Sequence, residues 1–160
     1  MLVEGTRFGR IEFDDDKVIV LRGGLLGFQE LERYVLHEQE RVQHIAWLQS
    51  IERPDLAFPV MDAASFGAGY PDPSPADLAR SAGLSTGDLA VLVVVVARRA
   101  PPTLMANMLA PLIIDVASRA GVQVVLDPQR FSASHVLDGF STMPRTGLEA
   151  LAQGAFAATP

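Results

Sequence analysis

Short apolar runs separated by turn signals dominate the first part of the chain. Residues 7–13 (RFGRIEF) and 17–21 (KVIVL) are rich in β-branched and aromatic side chains, and three aspartates stand between them. A short acidic turn between two such runs predicts a β-hairpin. Further strands are predicted at residues 34–37, 45–50 and 57–62, and the first two of these are expected to form an antiparallel pair.

The second part of the chain predicts one helix and a long buried strand. Ser74 can cap a helix, Pro75 fits its first position, Asp77 lies in its first turn, and Gly83 ends it. Residues 89–97 (LAVLVVVVA) form a β-branched run without alternation, which is typical of a strand buried on both faces.

Glycine and proline mark the connections between these elements. Residues 22–28 contain three glycines and predict a tight, irregular bend, whereas residues 30–33 predict one helical turn. Residues 65–74 predict a loop, and residues 98–102 (RRAPP) are expected to break the long strand. Two further strands are predicted on either side of a short basic loop, at residues 112–116 and 122–126.

Many short strands with frequent turn signals predict a mainly β, compact, antiparallel, barrel-like single domain with one short helix near residues 75–83. A chain of 160 residues can bury about two-thirds of the surface that it exposes when unfolded. A core of that size stabilises a domain without a disulfide or a structural metal. We expect this domain to span residues 1–137. Beyond it the pattern fades, and residues 138–160 are expected to form a tail that is either a short helix or disordered.

Charge and composition narrow the functional classes. The net charge is −6, which disfavours direct binding to nucleic acid phosphates and suits a basic protein partner, although an acidic chain can also serve solubility alone. The chain has no cysteine, which excludes disulfides and thiolate metal sites. Neither a signal peptide nor an apolar run long enough for a membrane helix is found, so a cytoplasmic location without membrane association is expected.

The search for catalytic and metal-binding patterns predicts no enzyme, no metal site and no cofactor. The histidines His37, His44 and His135 have no metalloprotease spacing. Asp14, Asp15 and Asp16 lack the spacing of a calcium loop, so a solvated turn is the simpler interpretation. The glycine-rich segment 22–28 does not match a phosphate-binding loop.

Several distinctive blocks of sequence follow one another in a fixed order. They are residues 6–11 (TRFGRI), 24–28 (GLLGF), 47–50 (WLQS), 54–58 (PDLAF), 107–111 (NMLAP) and 123–126 (QVVL). Taken in this order, the blocks resemble the flagellar assembly factor FliW family. The resemblance covers about residues 6–137, but Arg22, Ala64, Asp115 and Phe131 depart from the usual residues of the family.

The resemblance implies a compact β-barrel-like domain that binds two proteins in turn. One is flagellin, held in the cytoplasm before export. The other is CsrA, a small basic RNA-binding protein that represses translation of flagellin mRNA. After flagellin is exported, the free FliW protein captures CsrA, and translation of flagellin mRNA resumes. An export chaperone that binds only flagellin and an unrelated small-molecule-binding β-barrel remain the alternatives.

Two sets of residues follow from this interpretation. The acidic set is expected to contact CsrA and comprises Asp14, Asp15, Asp16, Glu38 and Glu40. The other set matches the family motifs and is expected to be mainly structural, because buried amides and bend residues commonly join loops to strand ends. It comprises Gly27, Phe28, Gln49, Ser50, Pro54, Asn107, Pro111 and Gln123.

Overall fold

The computed structural model describes residues 1–38, 45–99, 102–137 and 158–159, which form a mainly β structure. One helix of seven residues, α1 (Pro75–Ser81), lies in this part of the chain. The strands are β1 (Leu2–Thr6), β2 (Gly9–Glu12), β3 (Ile19–Leu21), β4 (Arg33–Glu38), β5 (Ala46–Ser50), β6 (Ala57–Asp62), β7 (Leu89–Arg99), β8 (Pro102–Ala106), β9 (Leu112–Asp115), β10 (Ala120–Gln123), β11 (His135–Val136) and β12 (Ala158–Thr159).

Seven of these strands close into a barrel, which confirms the predicted fold class. The hydrogen-bonded order runs β7-β6-β5-β4-β3-β10-β9, and β9 pairs again with β7. The pairings are antiparallel except that of β3 with β10, which is parallel. Closure leaves no open edge within the barrel itself.

The long strand β7 forms part of the barrel with its first half and part of an outer hairpin with its second half. Leu89 to Leu92 pair with β9 inside the barrel, whereas Val95 to Arg99 pair with β8 beyond it. β7 therefore continues to Arg99 and β8 already begins at Pro102, so three residues of the RRAPP segment belong to strands where a break is predicted. β11 adds an outer strand to β8.

The predicted hairpin around the three aspartates is wrong. β2 pairs with β1 and β12, and β3 pairs with β4 and β10, so the two runs belong to different sheets. Residues 15–17 form a single 3-10 turn that joins the sheets. The first strand, Leu2–Thr6, was absent from the prediction because its glycine and glutamate interrupt the apolar alternation.

The predicted helical turn at residues 30–33 is also wrong, because β4 already begins at Arg33. The predicted strand pair at residues 34–37 and 45–50 is confirmed as β4 and β5, in register from Tyr34 opposite Ser50 to Glu38 opposite Ala46. The helix is confirmed as well. Ser74 Oγ accepts a hydrogen bond from the Asp77 amide at 3.2 Å, and Gly83 follows with a φ of 74°.

Apolar side chains of the described residues form three buried clusters. The first fills the barrel and includes Tyr34, Leu48 and Leu92. The second lies between the barrel and the segment around α1, and the third lies beneath β1 and β2. No helix in the described ranges is long and apolar enough to cross a membrane. The predicted tail lies outside the described residues, apart from β12.

Candidate protein-binding surface at one end of the barrel

Strand direction places a set of carboxylates at one end of the barrel. β4, β6 and β9 end there, and β3, β5, β7 and β10 begin there, as the pairing registers show. Residues at or beside these strand ends therefore share one face of the molecule. We call this face the acidic rim, and its carboxylates belong to Asp14, Asp15, Asp16, Glu38, Asp62, Asp88 and Asp115.

The structure brings together most of the acidic residues that the sequence suggested. Asp14, Asp15 and Asp16 precede β3, and Glu38 ends β4, so all four lie at this end of the barrel with exposed side chains. Glu40 lies outside the described residues. An exposed acidic face attracts basic proteins and speeds their encounter.

The 3-10 turn presents its three carboxylates to solvent. The Lys17 amide donates to the Asp14 carbonyl at 3.0 Å, so a backbone hydrogen bond closes the turn. The Asp15 carboxylate lies 3.7 Å from the N-terminal ammonium group and its side chain is 82% exposed. A pair this exposed is worth little to stability, so these side chains are available for contact with a partner.

Arg119 fastens this turn to the β9–β10 connection. Its guanidinium donates to the Lys17 carbonyl at 3.3 Å, and the residue is only 9% exposed. Burial lowers the pKa of Arg119, while the charge of Asp16 acts in the opposite direction. The backbone at Arg119 has a φ of 59°, which few residues other than glycine adopt.

Asp115 is buried and holds the β9–β10 connection through hydrogen bonds to three of its residues. Its carboxylate accepts hydrogen bonds from the Ser118 hydroxyl at 2.6 Å and the Ala117 amide at 3.3 Å. The Arg119 amide donates to the Asp115 carbonyl at 2.8 Å. Asp115 is 5% exposed, so it positions the turn and is not itself a contact surface.

A groove opens beside the acidic rim. It has a volume of about 600 Å³ and lies between the start of β7, the segment after β6 and the start of α1. Its apolar wall includes Leu89, Val91 and Val116, and its acidic residues are Asp62 and Asp88. Asp62 is 4% exposed and accepts a hydrogen bond from the Ala64 amide at 2.9 Å, whereas Asp88 is exposed.

Sequence reasoning missed the three rim residues Asp62, Asp88 and Asp115. Asp62 and Asp115 are each the last residue of an apolar strand, and this position at a strand end is the signal that could have identified them. Their proximity to the 3-10 turn depends on the parallel pairing of β3 with β10, which local sequence does not indicate.

The family-motif residues lie mostly toward the opposite end of the barrel. Gln49 is fully buried, and its amide nitrogen lies within 3.1 Å of the carbonyls of Ser50, Pro54 and Leu56. Ser50 is buried too, and its hydroxyl accepts a hydrogen bond from the Arg53 amide. These contacts define the connection from β5 to β6.

Gln123 joins the glycine-rich bend to the start of β9. It accepts a hydrogen bond from the Leu26 amide at 2.8 Å and donates to the Ala110 carbonyl at 3.0 Å. Asn107 accepts from the Ala110 amide, and Pro111 accepts from the Val124 amide. Within the bend, Gly27 has a φ of 87°, and the Phe28 ring packs against Phe58 at 5.3 Å between centroids.

The described residues contain no cluster of three or more side chains suited to hold a metal ion. Most of the rim carboxylates are exposed and spread across one face, so this face is electrostatically complementary to a positively charged surface.

Comparison with known proteins gives a consistent result. A family model described as "FliW protein" matches residues 2–137. A flagellar assembly factor FliW from Geotalea uraniireducens is 31% identical over 152 residues, covering 94% of this chain and 93% of the relative. One from Syntrophus aciditrophicus is 35% identical over 132 residues, covering 82% and 84%.

A solved structure shares the same architecture. It is described as the crystal structure of the flagellar assembly factor FliW and superposes with a TM-score of 0.72 at 25% sequence identity. The match covers 85% of this chain and 96% of the solved chain, so most of the fold is common to both.

Proposed function

The chain belongs to the FliW family, and on that premise we propose that it is a protein-binding regulator of flagellum assembly that binds CsrA and flagellin in turn. In the cytoplasm it holds flagellin before export. When flagellin leaves, the freed protein captures CsrA and relieves the repression of flagellin mRNA. The observation that supports capture of a basic partner is the acidic rim at one end of the barrel.

The exchange follows from linked equilibria. A partner that occupies the protein lowers the free concentration available to the other partner by mass action. If CsrA is bound away from its RNA surface, the relief of repression requires coupling between the two sites. Such coupling is reciprocal, so RNA must weaken the binding of this protein to CsrA by the same factor.

The acidic set is assigned to the CsrA contact. Asp14, Asp15, Asp16 and Glu38 share the rim, and Glu40 follows Glu38 in the chain. Exposed carboxylates would steer a basic protein and make the association rate fall as salt increases.

The test is a binding series with purified CsrA and flagellin, first separately and then together. The expected result is binding to each alone and mutual displacement when both are present. Binding to flagellin alone would identify an export chaperone. Binding to neither protein would contradict the proposal and favour a small-molecule-binding barrel.

A triple substitution tests the surface. Replacing Asp14, Asp15 and Asp16 with lysine is expected to weaken CsrA binding at least roughly tenfold and to flatten its dependence on salt. The control is Glu30→Lys with Asp55→Lys, which changes the charge of two exposed side chains at the opposite end of the barrel. Equal affinity in the triple variant and the wild type would show that CsrA binds elsewhere.

A further inference from the structure

The outer side of β2 is covered by a strand from a distant part of the chain. β2 lies between β1 and β12 in a sheet of its own, separate from the barrel. β12 pairs with it in an antiparallel register, with Ala158 opposite Ile11 and Thr159 opposite Arg10. The match to the family model ends at residue 137, so β12 lies outside the matched part. Without β12, β2 would present unpaired backbone groups on this side.

β2 is held in strand conformation independently of β12. Ile11 is fully buried and packs with Val3, Phe13 and, from the barrel strand β4, Val35. β2 also pairs with β1, with Ile11 opposite Val3, and it contains no proline. An edge that is already ordered can accept a further strand without losing its own conformational entropy, which is the condition for recognition by strand addition.

β12 matches this edge incompletely. β2 comprises four residues, and β12 lies opposite two of them. Opposite-charge and apolar cross-strand pairs stabilise a sheet, but β12 places an alanine opposite Ile11 and an uncharged threonine opposite Arg10. The advantage of β12 is its attachment to the same chain, which is equivalent to roughly millimolar free peptide. A longer and better matched segment can therefore displace it by mass action.

The charges of β2 specify what a better matched segment contains. Arg10 and Glu12 lie on one face of the strand, and their side chains are 52% and 61% exposed. In an antiparallel segment the residue opposite Glu12 comes first, then the one opposite Ile11, then the one opposite Arg10. Cross-strand pairing favours a basic, a β-branched and an acidic residue in that order. The aspartates at residues 14–16 follow closely and strengthen the preference for positive charge at the amino end of the segment.

We infer that the outer edge of β2 is a strand-addition site for an extended segment of another protein. In that segment a lysine or arginine, a β-branched residue and an aspartate or glutamate follow one another. β12 occupies the site in the free chain and leaves it when such a segment binds. The inference goes beyond the proposed function and does not depend on it, because the register and charges of β2 define the segment without reference to CsrA or flagellin.

Two peptides of equal composition test the order of charges. They are acetylated and amidated Thr-Lys-Val-Glu-Thr and its charge-reversed form Thr-Glu-Val-Lys-Thr, and each is titrated into the isotope-labelled full chain. The first peptide is expected to shift the backbone amide signals of residues 9–12 in NMR spectra and to bind at least about threefold tighter than the second. Equal affinities, or shifts confined to other residues, would overturn the inference.

Competition with β12 is tested by two opposite substitutions in the full chain. Thr159→Lys places a like charge opposite Arg10 and weakens β12, whereas Thr159→Glu strengthens it. The Lys-Val-Glu peptide is expected to bind about threefold to tenfold tighter to Thr159→Lys than to Thr159→Glu, because β12 competes for the same edge. Equal affinities in these two variants would show that the peptide and β12 do not share a site.

A matched pair of arginine variants locates the site. Arg10→Glu is expected to abolish the preference between the two peptides, and Arg53→Glu, at a similarly exposed position at the opposite end of the barrel, is expected to retain it. A preference that survives in Arg10→Glu would contradict the assignment. Ala158→Pro removes a backbone donor from β12 and is expected to bind the Lys-Val-Glu peptide more tightly than the wild type. A wild-type dimer that dissociates in Ala158→Pro would instead assign the edge to exchange of β12 between two copies and overturn the inference.

Discussion

Two glycines of the bend before β4 differ in what surrounds them. Gly24 has a φ of 64°, and a Cβ added there would lie only 2.3 Å from the Phe28 carbonyl oxygen. Gly27 has a φ of 87°, but nothing lies within 4 Å of the position where its Cβ would be. The first glycine is required by sterics and by backbone conformation, whereas the second is required by conformation alone.

Alanine substitutions should separate these two requirements. Gly24→Ala is expected to lower the free energy of unfolding by more than about 3 kcal/mol, because the clash involves backbone that cannot move aside. Gly27→Ala is expected to cost only about 1 kcal/mol. Urea denaturation of both variants measures the difference, and equal losses would show that the bend is not packed as described.

A buried histidine predicts a loss of stability in acid. His37 is 1% exposed, and its ring lies 4.5 Å from that of Phe8. Burial lowers the pKa of His37 from its ordinary 6.5. The unfolded chain therefore binds a proton that the folded chain does not, and stability falls as pH drops below 6.5.

The size of this effect is bounded. His37 can contribute no more than about 1.4 kcal/mol for each pH unit below its ordinary pKa. His37→Gln is expected to reduce the fall in unfolding free energy between pH 7.5 and pH 5.5, whatever its effect at neutral pH. His135→Gln, at an exposed position, serves as the control. An unchanged pH slope in His37→Gln would assign the acid sensitivity to other groups.

At the scale of elements, a buried amide holds the turn between β5 and β6. Gln49→Leu would leave the carbonyls of Ser50, Pro54 and Leu56 without this donor. We expect a loss of about 2–4 kcal/mol in the free energy of unfolding, since unpaired buried polar groups are costly. Gln123→Leu is the comparison and is expected to cost about 1 kcal/mol, because water can replace the glutamine at the exposed Leu26 and only the carbonyl of the buried Ala110 loses a donor. Similar losses from both would argue against this difference.

The strength of local pattern decided which elements were predictable. The run from Leu89 and the Ser74-Pro75 helix start are strong signals. Residues that are adjacent in the sequence suffice to indicate a strand buried on both faces or a capped helix start. β1 contains Glu4 and Gly5, which hide its alternation. The pairing of β2 with β12 joins residues far apart in the chain, so the aspartates between β2 and β3 were mistaken for a hairpin turn.

At the scale of the whole molecule, the candidate site was predictable only in part. The acidic turn was visible because its three aspartates are consecutive. The groove was not predictable, because Asp62 and Asp88 are separated by the loop and helix between β6 and β7, and Val116 comes directly after β9. Barrel closure brings these residues to one face, and closure depends on the long-range pairing of β7 with β9.

The same closure predicts that the barrel folds without its tail. The three apolar clusters found among the described residues all lie between Val3 and Leu137. Deleting residues 138–160 removes β12, which pairs with β2 only at Ala158 and Thr159. Among the described residues the deletion removes only the backbone hydrogen bonds of this short pairing, so we expect the free energy of unfolding to fall by no more than about 2 kcal/mol.

Urea denaturation of the shortened chain, followed by Trp47 fluorescence and by circular dichroism, should show one coincident transition. Ala158→Pro in the full chain is the control, because it removes a backbone donor from β12 and leaves the rest of the tail in place. A loss similar to that of the deletion would assign the effect to the β2–β12 pairing. A broad or split transition in the shortened chain would instead show that residues 138–160 belong to the folded domain, and that its boundary lies beyond residue 137.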